Sequence, residues 1–457
     1  MTVGGSGPGA VEGVGPVAVG GVRPGAVGGS GPAGVNLLGL RSHNAALVLD
    51  LLRTAGPAGI SRLELAERTG LTPQAVSKIT ARLRADGLAT EAGRRASTGG
   101  KPRTVLRLVP EAGHAVGLHL DRDELTAVLC DLTGTVVAER RAPLDLGAGA
   151  DAVVEGAAGE VETLIADAAV SVLGVGVALP GPLDHARGVL HRVTGFPEWD
   201  GFPLRDALVG RLGVPVVVDK DTNAAALGVA VGGAGPVGGL ASGEGFGSDG
   251  GLGAGEGLAG GEGFGSDGGL GAGGGSGSGE GFRGGGGLGG GGGLGSGGGF
   301  GGSFAYLHLG TGLGAGLVIG GAVHRGARTG AGEFGHQVIQ LDGPVCGCGN
   351  RGCIEVLCLD AVARGAVGEA ARVLGAGAAN LVGLLDIDLV LLGGRTVAAH
   401  REAFVEGVGA VLDELARREG AGAAVPVGIA PGGARGVAEG AAQLLLAPLF
   451  GRGEGRG

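Results

Sequence analysis

The chain is poor in sulfur and has no long apolar run. Its five cysteines in 457 residues do not form a disulfide framework, and three of them fall within residues 346–353. This distribution predicts a reducing compartment and a metal site. No stretch of about 18 uninterrupted apolar residues occurs, which predicts no membrane span. The first residues lack the basic start and apolar core of a secretory leader. We therefore expect a soluble, cytoplasmic protein without a membrane partner.

Charge is unevenly distributed along the chain. The net charge is −10, but residues 36–107 hold twelve Lys and Arg against five Asp and Glu, a net of +7. The rest of the chain therefore carries −17. A small basic module on an acidic body predicts a nucleic-acid-binding head on a body with another task. A solvated basic face without function is the alternative on charge alone.

Glycine is abundant, with 112 residues, and is concentrated in residues 1–35 and 231–303. In the second segment the unit "GEGFGSDGGLGAG" occurs twice, at 243–255 and at 261–273. Both segments have too little apolar side chain to offset the entropy of ordering. They predict a disordered tail and a flexible insertion in a surface loop. A docking site for a partner protein is the alternative reading of the insertion.

Apolar strands alternate with helices in the remainder, which is typical of α/β layers. Helical patterns occupy residues 151–168, 204–211, 360–374 and 401–417. The expected strands are "VGLHL", "LTAVLCDL", "VLGVGVALP", "VPVVVD", "FAYLHLGTGLGAGLVI" and "IDLVLLGG". Several strands end in glycine-rich turns, an arrangement that suits phosphate or sugar binding between two lobes.

Residues 58–93 have the pattern of a helix, a turn and a second helix. Ser61 and Glu64 have capping-box spacing before the first helix. Thr72 can cap the second helix, with Pro73 at its favourable first position. The amino-terminal part of such a helix meets base edges in the major groove. The candidate DNA-contacting residues there are Thr72, Gln74, Ala75, Ser77, Lys78 and Arg82.

Residues 89–108 predict two short strands around a basic, glycine-rich tip, which is the pattern of a wing. Its cations could reach phosphates or a minor groove. The candidates are Arg94, Arg95, Lys101 and Arg103. We therefore predict a winged helix-turn-helix domain that binds a double-stranded DNA operator. An ordinary three-helix bundle is the alternative.

Two sequence elements resemble one family. The stretch "LGTGLGAGLVIGGAVHRGARTGAGEFGH" (309–336) and the following cysteines are similar to the signature of the ROK family of sugar kinases and transcriptional repressors. The helix-turn-helix with its "GGKP" wing resembles the repressor branch, which includes regulators of xylose and N-acetylglucosamine use. The resemblance covers about residues 40–231 and 304–446. It implies a two-lobed, actin-like (ribonuclease H-like) ATPase fold with a sugar in the cleft.

The resemblance implies a structural zinc. Members of the family hold it with one histidine and three cysteines, which correspond here to His336, Cys346, Cys348 and Cys353. One imidazole and three thiolates form a closed tetrahedral site without an open position for catalysis. Free thiols or a disulfide are the alternatives.

The resemblance also implies a sugar pocket beside the zinc. In kinases of the family, residues matching Glu333, His336 and Glu355 hydrogen-bond sugar hydroxyls. A metal on one nitrogen of His336 would fix its ring and leave the other for the sugar.

The segment "VVVDKDTNAAALG" (216–228) resembles the family segment that carries the catalytic Asp. Asp221 matches the base that takes the proton of the sugar hydroxyl in kinases. Asn223 also matches. Lys220 stands where the family usually has a sugar-binding Asn, a departure that could favour an acidic or phosphorylated sugar or weaken binding.

The phosphate turn of the kinases is altered. The matching stretch is "GLHLDRDEL" (117–125), where charged or bulky side chains replace an acidic residue, glycines and a threonine. The altered positions are His119, Asp121, Arg122 and Asp123. One carboxylate about 4 Å from a phosphate costs about 4 kcal/mol at an effective dielectric of ~20. We expect that ATP binding is lost. The loop "GTGLGAG" (310–316) remains, but a tight turn required by the fold explains it equally well.

The sequence therefore predicts a sugar-responsive DNA-binding regulator, most simply a repressor of carbohydrate genes. We expect a sugar or sugar-phosphate effector and a homodimer or homotetramer, with operator half-sites about one or two helical turns apart. Three alternatives stay open: a sugar kinase, a constitutive DNA-binding protein, and a repressor controlled by a partner protein.

We expect six regions along the chain. They are a disordered tail (1–35), the winged helix-turn-helix domain (36–109), an amino-terminal lobe (110–230), the insertion (231–303), a carboxyl-terminal lobe with the zinc site (304–446), and a flexible tail (447–457).

Overall fold

The computed structural model describes residues 43–95, 103–191, 193, 195–232 and 301–452. The predictions for the glycine-rich tail, the wing tip and most of the insertion fall outside these residues. Among the described residues, no helix is long and apolar enough to cross a membrane.

The basic module folds as three helices and a small antiparallel sheet with the strand order β1-β3-β2. Its elements are α1 (His43–Ala55), β1 (Ile60–Ser61), α2 (Arg62–Thr69), α3 (Pro73–Ala85), β2 (Ala89–Arg95) and β3 (Arg103–Leu108). The Ser61 hydroxyl accepts a hydrogen bond from the Glu64 amide at 3.3 Å, and the Glu64 carboxylate accepts one from the Ser61 amide at 2.8 Å. The Thr72 hydroxyl accepts from the Ala75 amide at 3.2 Å. Both predicted caps are therefore confirmed, and they fix where α2 and α3 begin.

The first lobe of the body is a mixed sheet in the order β10-β7-β4-β5-β6. Its elements are β4 (His114–Leu120), β5 (Glu124–Asp131), β6 (Val136–Pro143), α4 (Ala150–Ala168), β7 (Val172–Leu179), α5 (Leu204–Leu212) and β10 (Val216–Lys220), with a short ribbon of β8 (Leu183–Asp184) and β9 (Val189–Leu190). The first three strands are antiparallel, and β7 and β10 add in parallel. Helices α4 and α5 cover one face.

The second lobe repeats this topology with the order β13-β12-β11-β14-β15. Its elements are α6 (Asp221–Val231), β11 (Phe304–Leu309), β12 (Leu313–Ile319), β13 (Ala322–Val323), α7 (Ile354–Ala363), α8 (Val367–Leu385), β14 (Leu389–Gly393), α9 (Arg395–Ala399), α10 (Arg401–Glu419), β15 (Val427–Ile429) and α11 (Gly436–Leu449). Again three antiparallel strands are followed by two parallel ones. Helices α7, α8 and α10 cover one face of this sheet.

Helices α6 and α11 pack against each other between the two sheets. Alternate residues of each strand point to opposite faces, so one face of each sheet meets its outer helices and the other meets this central pair. Helix α6 packs on the second sheet, whereas α11 packs on the first. Helix α11 also shares a core with α1 and with Leu88 and Leu106 of the basic module.

Three sequence predictions need correction. The helix expected at 360–374 is two helices, because Gly365 adopts a left-handed conformation (φ +74°) between α7 and α8. The tail expected to begin at residue 447 does not: α11 continues to Leu449, and Phe450 is buried against the basic module. Helix α11 follows the second lobe in sequence but packs on the first, so the lobes do not divide at a single point of the chain.

Candidate functional site

A cleft between the two lobes gathers five of the six residues predicted to bind the sugar. The predicted residues that line it are Lys220, Asp221, Glu333, His336 and Glu355. They come from the junction of β10 with α6, the loop before a short 3₁₀ helix (Phe334–His336), and the start of α7. These elements are distant in sequence and meet because both sheets direct their ends toward the cleft.

Asp221 begins α6 at the base of the cleft. Burial raises the pKa of its carboxyl from 3.8 to about 7, and the negative charges of Asp121 and Glu333 add to the rise. The Thr222 amide donates to the carboxylate at 2.6 Å and opposes the rise, as does the charge of Lys220. A carboxyl with a pKa near neutral can accept a proton from, or donate a hydrogen bond to, a ligand hydroxyl.

Lys220 is held by neighbouring groups in the protein. Its side chain is 4 % exposed, and its ammonium group donates to the Ala331 carbonyl and to the Glu333 carboxylate, the latter at 3.3 Å. A Cβ on Gly181 would lie 2.6 Å from the Lys220 Cδ, so the stem fills the space beside that glycine. The ammonium of Lys220 thus fixes the loop that carries Glu333.

Asn223 does not line the cleft. It is 2 % exposed, and its side-chain amide donates to the Asp219 carboxylate at 2.9 Å. Asp219 also accepts from the Arg325 guanidinium at 2.7 Å. The prediction that Asn223 contacts a sugar is therefore not supported by its placement, because two residues of α6 turn its side chain by about 200° from that of Asp221 and into the core.

A cluster of four potential metal ligands adjoins the cleft. One ligand atom from each member lies within 4.8 Å of every other, and the members are His336, Cys346, Cys348 and Cys353. The Cys346 Sγ lies 3.7 Å from the His336 Nδ1, and the Cys348 Sγ lies 3.7 Å from the Cys353 Sγ. A tetrahedron with metal–sulfur bonds of about 2.3 Å has edges of roughly 3.8 Å. The donor set therefore fits a four-coordinate metal ion.

The cluster is connected to the cleft by two side chains. His336 points its Nδ1 at the thiols and also lines the cleft, so its other ring nitrogen remains for the cleft. One oxygen of Glu355 accepts from the Leu313 amide at 2.8 Å, and the other lies 4.0 Å from the Cys346 Sγ. Cys130 and Cys358 lie elsewhere in the core, and burial raises the pKa of each thiol to about 12.

Arg395, which the sequence reasoning missed, closes the altered phosphate turn. Its guanidinium binds Asp121 at 2.5 Å and Asp123 at 2.5 and 2.8 Å. Burial alone would raise the pKa of Asp121, but the hydrogen bond from Arg395 holds that pKa below its usual value. The carboxylates that we expected to repel a polyphosphate are therefore paired. The glycine pair before Arg395 in "LLGGR" (391–395) was the available signal.

A second cavity lies beyond this ion pair. Asp121 and His308 line both the cleft and the second cavity, and Arg395 lines the latter. Burial lowers the pKa of His119, on the second cavity, to about 4. The ion pair between Asp121 and Arg395 therefore occupies the passage between the two spaces.

The outward face of α3 presents most of the predicted DNA contacts. The exposed ones are Thr72, Gln74, Ser77, Lys78 and Arg82, whereas Ala75 is half-buried. Arg103, at the start of β3, is exposed as well. The side chains of Arg94 and Arg95 and the whole of Lys101 lie outside the described residues.

Helix α1 joins this head to the body through Arg53. Its guanidinium donates to the Val231 carbonyl, at the end of α6, at 3.3 Å, and binds the Asp50 carboxylate at 2.9 Å. It also lies 5.0 Å from the ring centroid of Phe450. Arg452 binds the second oxygen of Asp50 at 2.7 Å. The helix that begins in the cleft at Asp221 therefore ends on the head.

The sequence matches two family profiles. Residues 115–237 and 302–361 match the ROK family, and residues 58–90 match a winged helix-turn-helix DNA-binding domain. Both matches agree with the folds described above.

Several known proteins are similar over long stretches. A putative xylose repressor of Caldicellulosiruptor sp. (strain Rt8B.4) is 25 % identical over 381 residues, which cover 74 % of this chain and 79 % of that protein. The DNA-binding transcriptional dual regulator NagC of Escherichia coli (strain K12) is 33 % identical over 197 residues, 40 % of this chain and 45 % of that protein. A crystal structure of a ROK family transcriptional regulator, a homolog of the E. coli MLC protein, has a TM-score of 0.62 at 20 % identity and covers 89 % of this chain and 96 % of its own.

Proposed function

We propose that the chain is a sugar-responsive DNA-binding repressor, because it contains a ROK family domain and carries a winged helix-turn-helix domain before it. One observation carries the proposal. Helix α6 joins a cleft that suits hydroxyl groups to a head that suits DNA. The names of its relatives, a putative xylose repressor and a DNA-binding transcriptional dual regulator, support DNA-binding regulation.

The head would read an operator through α3. Its exposed Gln74 and Ser77 can contact base edges, while Lys78, Arg82 and Arg103 can neutralise phosphates. We propose that two copies bind two half-sites, as the symmetry of most homo-oligomeric repressors requires. A DNA partner and clustered free thiols are consistent with a cytoplasmic location.

The cleft would bind the sugar through Asp221, Glu333, His336 and Glu355, whose carboxyl and imidazole groups suit hydroxyl ligands. We propose zinc for the adjoining cluster, because three thiolates and one imidazole are its preferred tetrahedral ligands. A metal on the Nδ1 of His336 would hold the ring so that the Nε2 can meet a sugar hydroxyl.

Helix α6 provides a route for coupling. A ligand that contacts Asp221 acts on the first residue of α6, and Arg53 of the head binds its last carbonyl. The helix is buried along its length and contacts α11, which itself shares a core with α1. A sugar that favours one position of α6 would therefore change the equilibrium between head positions.

Kinase activity is proposed to be lost. The Arg395 guanidinium bound to Asp121 and Asp123 occupies the turn where the family's kinases accept phosphates. To admit a polyphosphate, the turn would have to break these charge-assisted hydrogen bonds. A sugar kinase is the second candidate, because the pKa of Asp221 near 7 suits a general base. Measuring ADP release from ATP over a sugar panel separates the two.

Operator binding is the decisive experiment. The zinc-loaded full chain would be tested for retardation of the upstream DNA of its own gene at fixed salt, with and without mono- and aminosugars and their 6-phosphates. A complex released by a sugar supports the repressor. A complex that no sugar changes leaves a constitutive DNA-binding protein, and the absence of a complex contradicts the proposal.

A further inference from the structure

Arg122 projects a guanidinium into the cleft and has no ion-pair partner among the described residues. It is half-buried, and its Cζ lies 5.4 Å from the centroid of the Phe196 ring. Its Nη2 lies 3.8 Å from the point where a Cβ on Gly312 would stand. The side chain therefore reaches from the first lobe to the glycine loop of the second lobe, where the Glu355 Oε2 lies 3.2 Å from the same point.

The other charges around the cleft already have partners. Lys220 binds Glu333 at 3.3 Å, and Asp121 binds Arg395 at 2.5 Å. The carboxylate of Glu355 accepts a hydrogen bond from a backbone amide. Among the described residues that line the cleft, Arg122 is therefore the cation that is available to bind a ligand. An unsatisfied guanidinium facing a half-enclosed space favours a ligand with a negative charge.

We propose that Arg122 determines the specificity of the cleft for a sugar that carries an anionic substituent, a phosphate or a carboxylate. The guanidinium fork matches two oxygens of either group. Its cation–π contact with the Phe196 ring holds the guanidinium beside the cleft before the ligand arrives. The inference rests on the proposed function, because it concerns the same cleft and names the chemical class of its ligand.

This specificity is separable from Lys220, the cation that the sequence suggested. The ammonium of Lys220 is shielded by the loop that carries Glu333, whereas the guanidinium of Arg122 has no such cover. An arginine at the mouth of the cleft adds recognition of an anion and leaves the hydroxyl-binding groups unchanged. Neutral sugars should therefore bind by the same hydroxyl contacts, but more weakly.

Calorimetry on the zinc-loaded full chain tests the inference. The probes are glucose, N-acetylglucosamine and xylose, the 6-phosphates of the first two, glucuronate, and inorganic phosphate. The variants are Arg122→Gln, Arg122→Lys and the control Arg417→Gln, an exposed arginine of α10. We expect a charged sugar to bind wild type about 10- to 100-fold more tightly than its neutral parent, as loss of one charge-assisted contact implies. Arg122→Gln should remove that preference and keep the affinity for the neutral parent, and Arg122→Lys should retain part of the preference.

Three outcomes would contradict the proposal about Arg122. Equal binding of charged and neutral sugars by wild type contradicts the inference and leaves the repressor intact if either releases operator DNA. If Arg122→Gln lost affinity equally for charged and for neutral sugars, the role of Arg122 would be structural only. Operator binding without binding of any sugar contradicts both the inference and the sensor part of the proposed function. Preference for the phosphates over glucuronate, or the reverse, identifies the anion.

Discussion

Lys220 lines the cleft and also holds the loop that carries Glu333. Its ammonium donates to the Ala331 carbonyl and to the Glu333 carboxylate. We expect Lys220→Met to lower the free energy of unfolding by about 1–3 kcal/mol, because the half-buried Ala331 loses a charge-assisted hydrogen bond to its carbonyl. A double-mutant cycle with Glu333→Gln, read by urea unfolding, measures the coupling between the two side chains.

The pair should show a coupling energy of about 0.5 kcal/mol or more. Additive effects of the two substitutions would mean that Lys220 does not hold the loop through Glu333. Lys220→Asn additionally removes the stem beside Gly181, so it should destabilise the chain more than Lys220→Met does.

Asp221 predicts a specific pH dependence of stability. Burial raises its pKa from 3.8 to about 7, so the folded state binds a proton more tightly than the unfolded state. The stabilising contribution of the protonated carboxyl is complete below about pH 4 and is lost as the pH rises through about 7. We expect Asp221→Asn to be more stable than wild type at pH 8 and to differ less from it at pH 5.

Urea unfolding at both pH values measures this, with Asp413→Asn, an exposed residue of α10, as the matched control. The control should shift by the same amount at both pH values. If Asp221→Asn gained no stability relative to wild type between pH 5 and pH 8, the carboxyl would be ionised in the folded protein throughout.

At the scale of elements, the loop at residues 337–352 has little apolar burial beside the potential metal ligands that it carries. It exposes apolar side chains, among them Leu341 at 84 % and Val345 at 59 %, so little burial of its own orders it. Isolated bridges pair Val338 with Cys353 and Val345 with Arg351. Because metal binding here would supply folding energy, we expect Cys348→Ser to lose the metal and to lower the Tm by more than about 5 °C.

Elemental analysis and a thermal melt measure the two effects together. Cys358→Ala is the control: it removes a buried thiol outside the cluster, so it should keep one zinc per chain. A Cys348→Ser protein that retains the full zinc content would show that the cluster does not bind through that thiol.

The contact between α6 and α11 depends on a glycine. A Cβ on Gly440 would lie 1.9 Å from the Ala224 carbonyl oxygen, whereas one on Gly409 of α10 would meet nothing within 4 Å. We expect Gly440→Ala to destabilise the chain by about 1–3 kcal/mol or more, because the two helices must separate. Gly409→Ala should stabilise it by up to about 1 kcal/mol through helix propensity.

Thermal and urea unfolding compare the two alanine variants directly. Equal effects of the same sign would mean that the central helices can separate without cost. That result would also weaken the case for α6 as a rigid connection between cleft and head.

At the scale of the whole molecule, a few polar contacts join the head to the body beside their shared apolar core. Arg53 binds the last carbonyl of α6, and its neighbour Asp50 keeps Arg452 as a second partner. We therefore expect Arg53→Gln to bind operator and sugar nearly as wild type does. The change in operator affinity on adding sugar, typically 5- to 150-fold in coupled proteins, should fall toward one.

Fluorescence anisotropy of labelled operator with and without saturating sugar gives both affinities. Arg364→Gln, which removes an exposed ion pair with Glu369 at the end of α7, serves as the control and should keep the full coupling. If Arg53→Gln kept it too, the signal would reach the head through α11 alone.

The sequence by itself determined what depends on local pattern. The caps at Ser61 and Thr72 and most strands of both sheets were predictable, because capping and alternation act over a few residues. The edge strands β6, β13 and β15 were not predicted. The grouping of His336, Cys346, Cys348 and Cys353 was predicted from the clustered cysteines together with the family resemblance, which supplied the histidine.

Only the tertiary structure decided which charges are available and how the head is connected. Arg395 neutralises Asp121 and Asp123 from more than 270 residues away. Asn223 lies in the core although its neighbour Asp221 lines the cleft, because a helix turns successive side chains by about 100°. Electrostatic pairing and close helix contacts join residues that are distant in sequence, so the spacing of residues along the chain does not encode them.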